Sequence, residues 1–203
     1  MTTTASTTAT SRWGGGTCPF ATGWRMVMMW WFVVSDGLLF AGFLAAYGYA
    51  RLAASAWPDT AQVVSPLLLT IMTLVLFASG ACMARAADAA KRAAWPEAIR
   101  AVTVTGILGA LFLGLQANEW RHVIAAGGRL DSNPWGDPAF GAYFFLITGF
   151  HGLHVFTGVV VLAATARRIA TRRATAVGLE MAALYWHFVE LVWVFIFTLF
   201  YLI

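Results

Sequence analysis

Charged residues are scarce in this sequence of 203 residues. They make up 11% of the chain, whereas a soluble domain typically carries about 25%. Apolar residues account for 60% of the chain and aromatic residues for 15%. A chain with so few charges and so many apolar side chains cannot cover a water-facing surface. The composition therefore excludes an ordinary soluble domain and predicts an integral membrane protein.

Cysteine is also scarce, since the chain has only Cys18 and Cys82. Cys18 falls in a polar N-terminal segment, and Cys82 lies near the end of an apolar run. Two cysteines in such different surroundings exclude a disulfide framework, and we expect both to be unpaired thiols.

Long apolar runs are what the sequence has in abundance. A spanning helix needs roughly 20 mostly apolar residues, and five segments meet that length. They run from about residue 24 to 50, 66 to 84, 99 to 123, 140 to 166 and 178 to 203. The sequence therefore predicts an all-α integral membrane bundle of five transmembrane helices over residues 24–203. Residues 1–23, rich in Thr, Ser and Gly, are expected to be a disordered polar segment.

Helix starts and basic residues give further detail. Pro66 and Pro96 fit the first turn of a helix, and Asp137 followed by Pro138 resembles an N-cap with proline at the first helical position. Counted with the adjoining span ends, the N-terminal segment and the second and fourth connections hold 2, 4 and 4 Lys or Arg, and the other side holds 3. This asymmetry predicts a cytoplasmic N-terminus and a C-terminus outside. Because topology explains the basic residues, we expect no nucleic-acid partner.

Polar side chains inside the predicted spans need a reason to be there, because titratable groups are costly in hydrocarbon. Several pairs lie three residues apart and therefore share a helix face. Small residues such as Gly149 and Gly152 accompany them and allow close helix contacts. We expect these faces to point inward. The polar residues are Asp36, Gln116, Glu119, His151, His154, His187 and Glu190.

A metal site has to be weighed for this set. Glu119-x-x-His122 has the carboxylate–histidine spacing of di-iron bundles, and His187-x-x-Glu190 is its reverse. Paired histidines such as His151 and His154 also ligate haem iron in some proteins. A di-iron site needs more carboxylates at one depth, and a haem between helices needs histidines on facing helices. Interhelical hydrogen bonding is therefore favoured, with a proton-linked or lipid-linked role as the alternative.

Asp36 stands apart because its neighbours in VVSDGLLFAGF are almost all apolar. An ionised carboxylate without partners would be very costly there. Two interpretations stay open for this residue, a neutral acid hydrogen-bonded to another helix and a functional acid.

Four stretches of the sequence resemble subunit III of the haem–copper terminal oxidases. They are TGFHGLHVFTG in the fourth span, YWHFVELVWVFIF in the fifth, LGLQANEW in the third and SDGLLFAGF in the first. The resemblance covers nearly all of the chain after the polar N-terminal segment. The count of five spans is similar to the short bacterial form of the family, without the two additional N-terminal helices of the longer form.

This resemblance implies a non-catalytic subunit of a proton-pumping oxidase in the bacterial plasma (inner) membrane. Such a subunit carries no catalytic residue, haem or copper, since the cofactors belong to partner subunits. It packs directly on subunit I beside subunit II and other subunits, retains phospholipid, and supports assembly and stable proton uptake. Asp36 occupies the family's buried-acid position. The family's recurrent polar positions fall on Glu119, His151, His154, His187 and Glu190.

Other functions remain open. The electron donor of the complex is cytochrome c, which we favour, or a quinol, and the subunit III-like protein of nitric oxide reductases shares these motifs. From a different class, the chain could be an autonomous haem or metal membrane enzyme, which would carry a chromophore by itself. A small transporter is disfavoured because the sequence shows no internal repeat and no helix broken by Gly and Pro at mid-membrane.

Overall fold

The computed structural model describes residues 23–202, without the side chains of residues 61, 62 and 202. Within that range all regular structure is helical. The predicted disordered segment 1–23 lies outside the described residues, apart from Gly23. The elements are α1 (Trp24–Ala53), α2 (Thr60–Val63), α3 (Pro66–Lys91), α4 (Trp95–Ala125), α5 (Ala139–Ala170) and α6 (Ala176–Phe197), followed by a π-helical turn over Thr198–Leu202.

The five predicted spans are confirmed within the described residues. Helices α1, α3, α4 and α5, and α6 with its π-helical extension, are long and apolar enough to cross a membrane. Pro66 lies in the first turn of α3 and Pro96 in the first turn of α4, as predicted. The expected start of α5 was wrong by one residue. Pro138 is itself the N-cap, and Asp137 Oδ1 accepts a hydrogen bond of 2.9 Å from the Ala139 amide.

Most helices continue past their apolar runs. Helix α3 extends from its predicted end near residue 84 to Lys91, because an apolar run reflects bilayer thickness and not helix length. Its charged last turns are paired at the surface: Arg92 Nη2 lies 3.0 Å from Asp88 Oδ2, and Lys91 Nζ lies 3.2 Å from Glu180 Oε1. Helix α3 ends where Ala93 adopts a left-handed conformation with φ of 57°.

Helix α6 lies at the centre of the bundle, in contact with α1, α3 and α5, while α4 packs between α3 and α5. Its Trp186 and Trp193 are almost fully buried, and each indole N–H finds a partner on α3. Trp186 Nε1 donates to Ser79 Oγ at 3.0 Å, and Trp193 Nε1 donates to Thr73 Oγ1 at 3.1 Å. Gly109 on α4 leaves room for the Trp186 ring, which a methyl group there would overlap. Two bulky rings with satisfied donors thus fix α6 against α3.

Helix α1 is peripheral. It buries only Phe40, Leu44 and Tyr47, all on the face toward α5 and α6. Much of its remaining surface is apolar and exposed, including Trp31 and Leu38. Because apolar packing of α1 is limited, polar contacts provide a larger share of the free energy that holds α1 against the other helices.

Candidate functional site

Asp36 and His154 face each other between α1 and α5. Asp36 Oδ2 lies 3.1 Å from His154 Nε2, and the two side chains are 10% and 12% exposed. The Phe40 ring packs edge-on against the imidazole at 5.3 Å. His154 Nδ1 lies 2.8 Å from the Phe150 carbonyl oxygen. A carbonyl only accepts, so Nδ1 carries a proton, and Nε2 of a neutral ring is then an acceptor.

This arrangement determines how many protons the pair holds. If Asp36 were ionised and His154 neutral, a lone pair on Oδ2 would face the lone pair on Nε2, and the two would repel each other. One proton therefore lies between them, on the carboxyl group or on the imidazole, and the two residues act as one proton-holding unit. The two atoms are close but not aligned for a full hydrogen bond, so Asp36 Oδ2 keeps capacity for another donor.

His187 and Glu190 form a second pair, within α6. His187 Nδ1 lies 3.1 Å from Glu190 Oε2. The Glu190 carboxylate lies against Gly80 of α3, where an added methyl group would overlap it. Glu190 is 15% exposed, but His187 is 41% exposed, which differs from the burial expected for it. Period-three spacing thus predicted the contact within the pair but not the depth of the histidine.

His151 is fully buried and 0% exposed. Its ring stacks on Trp193 at a centroid distance of 5.5 Å and meets Phe112 edge-on at 6.0 Å. Neither ring nitrogen has a hydrogen-bond partner among the side chains and backbone that the structure describes. This histidine is therefore an inward-facing polar group whose hydrogen-bonding capacity is unused.

Gln116 and Glu119 extend the buried polar surface along α4. They are 5% and 3% exposed. Gln116 Nε2 donates to the Thr148 carbonyl at 2.6 Å, but the Oε1 atoms of Gln116 and Glu119 have no partner among the described residues. His122 is exposed, so Glu119-x-x-His122 does not form the pair that its spacing suggested.

The acidic and histidine side chains that contact each other in the site do so in pairs. Within residues 23–202, no three His, Cys, Asp or Glu side chains converge in a way that could hold a metal ion. Asp36–His154 and His187–Glu190 supply one carboxylate and one imidazole each. Pairs of this kind can share protons and hold helices in register. Cys82 is a free thiol among the described residues, as predicted, whereas Cys18 lies outside them.

Hydroxyl side chains are the part of the site that sequence reasoning missed. Ser79 and Thr73 accept from the α6 indoles, and Thr148 Oγ1 accepts from Trp120 Nε1 at 3.1 Å. The available signal was a Ser or Thr inside an apolar helix, but many such hydroxyls only bond their own helix backbone. Their indole partners follow from helix register, which the sequence pattern does not contain.

Named relatives match this chain across most of its length. It is 34% identical to the cytochrome c oxidase subunit 3 of Thermostichus vulcanus, over 85% of this chain and 84% of that protein. It is 36% identical to the cytochrome c oxidase subunit 3 of Scyliorhinus canicula, over 91% of this chain and 71% of that protein. It is also 31% identical to the cytochrome bo(3) ubiquinol oxidase subunit 3 of Pseudomonas aeruginosa, over 85% of this chain and 82% of that protein.

A family model agrees with these relatives. The model described as cytochrome c oxidase subunit III matches residues 6–203, which includes all five spans and both acid–histidine pairs. The resemblance seen in the TGFHGLHVFTG and YWHFVELVWVFIF stretches is thereby confirmed. The chain belongs to the cytochrome c oxidase subunit III family.

Proposed function

We propose that this chain is the non-catalytic subunit III of a proton-pumping haem–copper oxidase that reduces O2 to water with electrons from cytochrome c. The family match over residues 6–203 carries the proposal. The pairwise arrangement of its acids and histidines supports it, because a non-haem redox metal needs more ligands than either pair offers. Haem and copper belong to the partner subunits and supply the oxygen chemistry there.

The polar residues of the site stabilise the subunit and hold protons within the bundle. The Asp36–His154 pair joins peripheral α1 to α5, and Glu190 fits against Gly80 between α6 and α3. Polar contacts of this kind fix helix register in lipid, where apolar packing alone discriminates weakly. The residues with this structural and proton-linked role are Asp36, Glu119, His151, His154, His187 and Glu190.

Phospholipid binding is part of the proposal. A groove of about 550 Å³ runs between α1, α5 and α6. Arg25 and Arg168 lie in its wall, and most of the remaining lining is apolar or carries hydroxyl groups. Two cations beside an apolar groove fit the phosphate and acyl chains of an anionic phospholipid. Arg168→Gln should reduce the phospholipid that co-purifies with the chain, and Arg173→Gln, outside the groove, should leave it unchanged.

The proposed setting is the bacterial plasma membrane, with the N-terminus in the cytoplasm because ten of the thirteen Lys and Arg lie on that side. The exposed apolar surface of the bundle offers a face for subunit I, with subunit II and other subunits beyond it. Leu38, Ile107 and Leu74 are among its side chains, between 61% and 69% exposed.

A quinol oxidase is the second candidate. Its support is the relative named as a subunit of a bo(3) ubiquinol oxidase, which is 31% identical to this chain. The subunit III-like protein of a nitric oxide reductase is a third. The purified complex separates them: oxygen consumption with reduced cytochrome c supports the first, consumption with quinol alone the second, and turnover of nitric oxide but not oxygen the third.

Purification in mild detergent through a tag on this chain tests the proposal. We expect a haem-containing catalytic subunit to co-purify and the complex to consume oxygen. The matched control is the same preparation from cells with the untagged chain, which should yield neither haem nor oxygen consumption. A tagged chain that purifies without any haem protein would contradict the proposal and favour a transporter.

A further inference from the structure

Seven buried side-chain atoms have no hydrogen-bond partner among the described residues, and they come from six residues. Native proteins leave very few buried polar atoms unpaired, and ordered water partners most of those that protein groups do not. The seven atoms are Asp36 Oδ2, Trp57 Nε1, Gln116 Oε1, Glu119 Oε1, His151 Nδ1, His151 Nε2 and Tyr201 Oη.

These atoms follow one another along the inside of the bundle. Phe40 contacts both His154 at 5.3 Å and His151 at 6.3 Å, which places the Asp36–His154 pair beside His151. The step from His151 to Gln116 runs along the α4–α5 contact. Phe112 meets His151 at 6.0 Å and precedes Gln116 by four residues on α4.

The series continues toward the end of the bundle at which α1 and α4 end. Glu119 lies three residues beyond Gln116 on the buried face of α4. Tyr201 follows Phe200, whose ring stacks on Tyr47 at a centroid distance of 3.9 Å. Tyr47 packs edge-on against Trp57 at 5.5 Å. The unpartnered atoms therefore form a series from mid-bundle to the loop that follows α1.

The spacing of Gln116 and Glu119, three residues apart on α4, matches bridging water. Residues three or four apart on a helix are separated by about 4.5–6 Å along its axis. Two hydrogen bonds of about 2.8 Å each, through one water oxygen, span that distance. His151, Gln116 and Glu119 are each at least nine-tenths buried and present their free atoms to the interior.

We propose that a file of internal water molecules connects the Asp36–His154 pair, through His151 and Gln116, to Glu119 and Tyr201. The ligand is water, and each molecule has side-chain acceptors or donors from two or more helices. Such a file is a hydrogen-bonded connection between the proton held by Asp36 and His154 and the buried carboxyl group of Glu119. This proposal goes beyond the proposed function by assigning internal water sites. It rests on the proposed function only because the water sites are tested in the haem-containing complex.

Millisecond X-ray radiolysis of the purified haem-containing complex, read by mass spectrometry, tests the proposal. Hydroxyl radicals form from water, so a fully buried side chain is oxidised only where water touches it. We expect Phe112, beside the file, to be oxidised several-fold more than Met83, although both are 0% exposed and methionine is intrinsically more reactive. Oxidation of Phe112 no greater than that of Met83 overturns the proposal.

A pair of leucine substitutions on α4 tests which residues hold the water. Gln116→Leu removes a free acceptor and should lower Phe112 oxidation several-fold, while Asn118→Leu, on the exposed face, should leave it unchanged. His151→Phe provides the same test if the Gln116→Leu complex does not assemble. Unchanged Phe112 oxidation in the assembled variant overturns the proposal. Failure of the unsubstituted chain to yield a haem-containing complex contradicts the proposed function instead, so the two failures are distinguishable.

Discussion

Removing the Asp36 carboxyl group should loosen α1 from the bundle by a predictable amount. In Asp36→Ala, His154 Nε2 loses the group 3.1 Å away, in a pair whose side chains are only 10% and 12% exposed. Asp36→Asn keeps an N–H donor for that nitrogen. We therefore expect alanine to be clearly destabilising and asparagine to be tolerated.

The magnitude follows from the protonation of the pair. Because one proton is shared, His154 left alone can stay neutral. The loss is then comparable to that of an interhelical hydrogen bond, although the two atoms are not fully aligned for one. Such bonds contribute about 0.6–1.7 kcal/mol in membrane proteins. We predict a loss of about 1–2 kcal/mol in the free energy of unfolding for Asp36→Ala and about 0.5 kcal/mol or less for Asp36→Asn. A permanently ionised pair broken in the same way would cost about 3–5 kcal/mol.

Equilibrium unfolding of the purified chain in mixed micelles, titrated with dodecyl sulfate and followed by tryptophan fluorescence, provides the assay. A double-mutant cycle with His154→Phe, which keeps a ring against Phe40, isolates the pair, and its coupling energy should be about 1 kcal/mol. Asp36→Ala combined with His187→Phe is the control and should be additive. Coupling below about 0.3 kcal/mol in the Asp36–His154 cycle would show that the two side chains do not stabilise each other.

Two further predictions concern helix contacts. Gly80→Ala places a methyl group against the Glu190 carboxylate and should lower the free energy of unfolding by about 1–3 kcal/mol. Gly114→Ala, with open space around it, should raise that free energy by up to about 1 kcal/mol in the same titration, and equal effects would contradict the assigned contact. Lys91→Gln removes the surface ion pair with Glu180 and should cost about 1 kcal/mol or less. A larger loss, or one insensitive to salt, would contradict this weak surface role.

The sequence predicted the spans because bilayer thickness translates directly into a run of apolar residues. It also predicted which polar residues are costly enough in hydrocarbon to need a partner. Side-chain pairs within one helix were predicted only in part: His187 and Glu190 contact each other, whereas Glu119 and His122 do not. Spacing alone places two side chains on one face without saying whether that face is buried.

Side-chain pairs between different helices could not be predicted from the sequence. Asp36 meets His154 across more than a hundred residues, and Trp186 meets Ser79, because helix packing sets the register between them. That register depends on small residues such as Gly109, whose missing side chain admits the Trp186 ring. A glycine in an apolar helix is common, and its partner ring appears only once the helices are packed.

The most direct test of a non-catalytic role is a reduced-minus-oxidised haem spectrum of this chain, taken before and after its partners are stripped away. We expect a haem signal from the intact complex and no haem signal from the stripped chain, provided that the stripped chain is still helical. Haem that stays with the lone chain would contradict a non-catalytic subunit III and make His151, His154 and His187 the first ligand candidates.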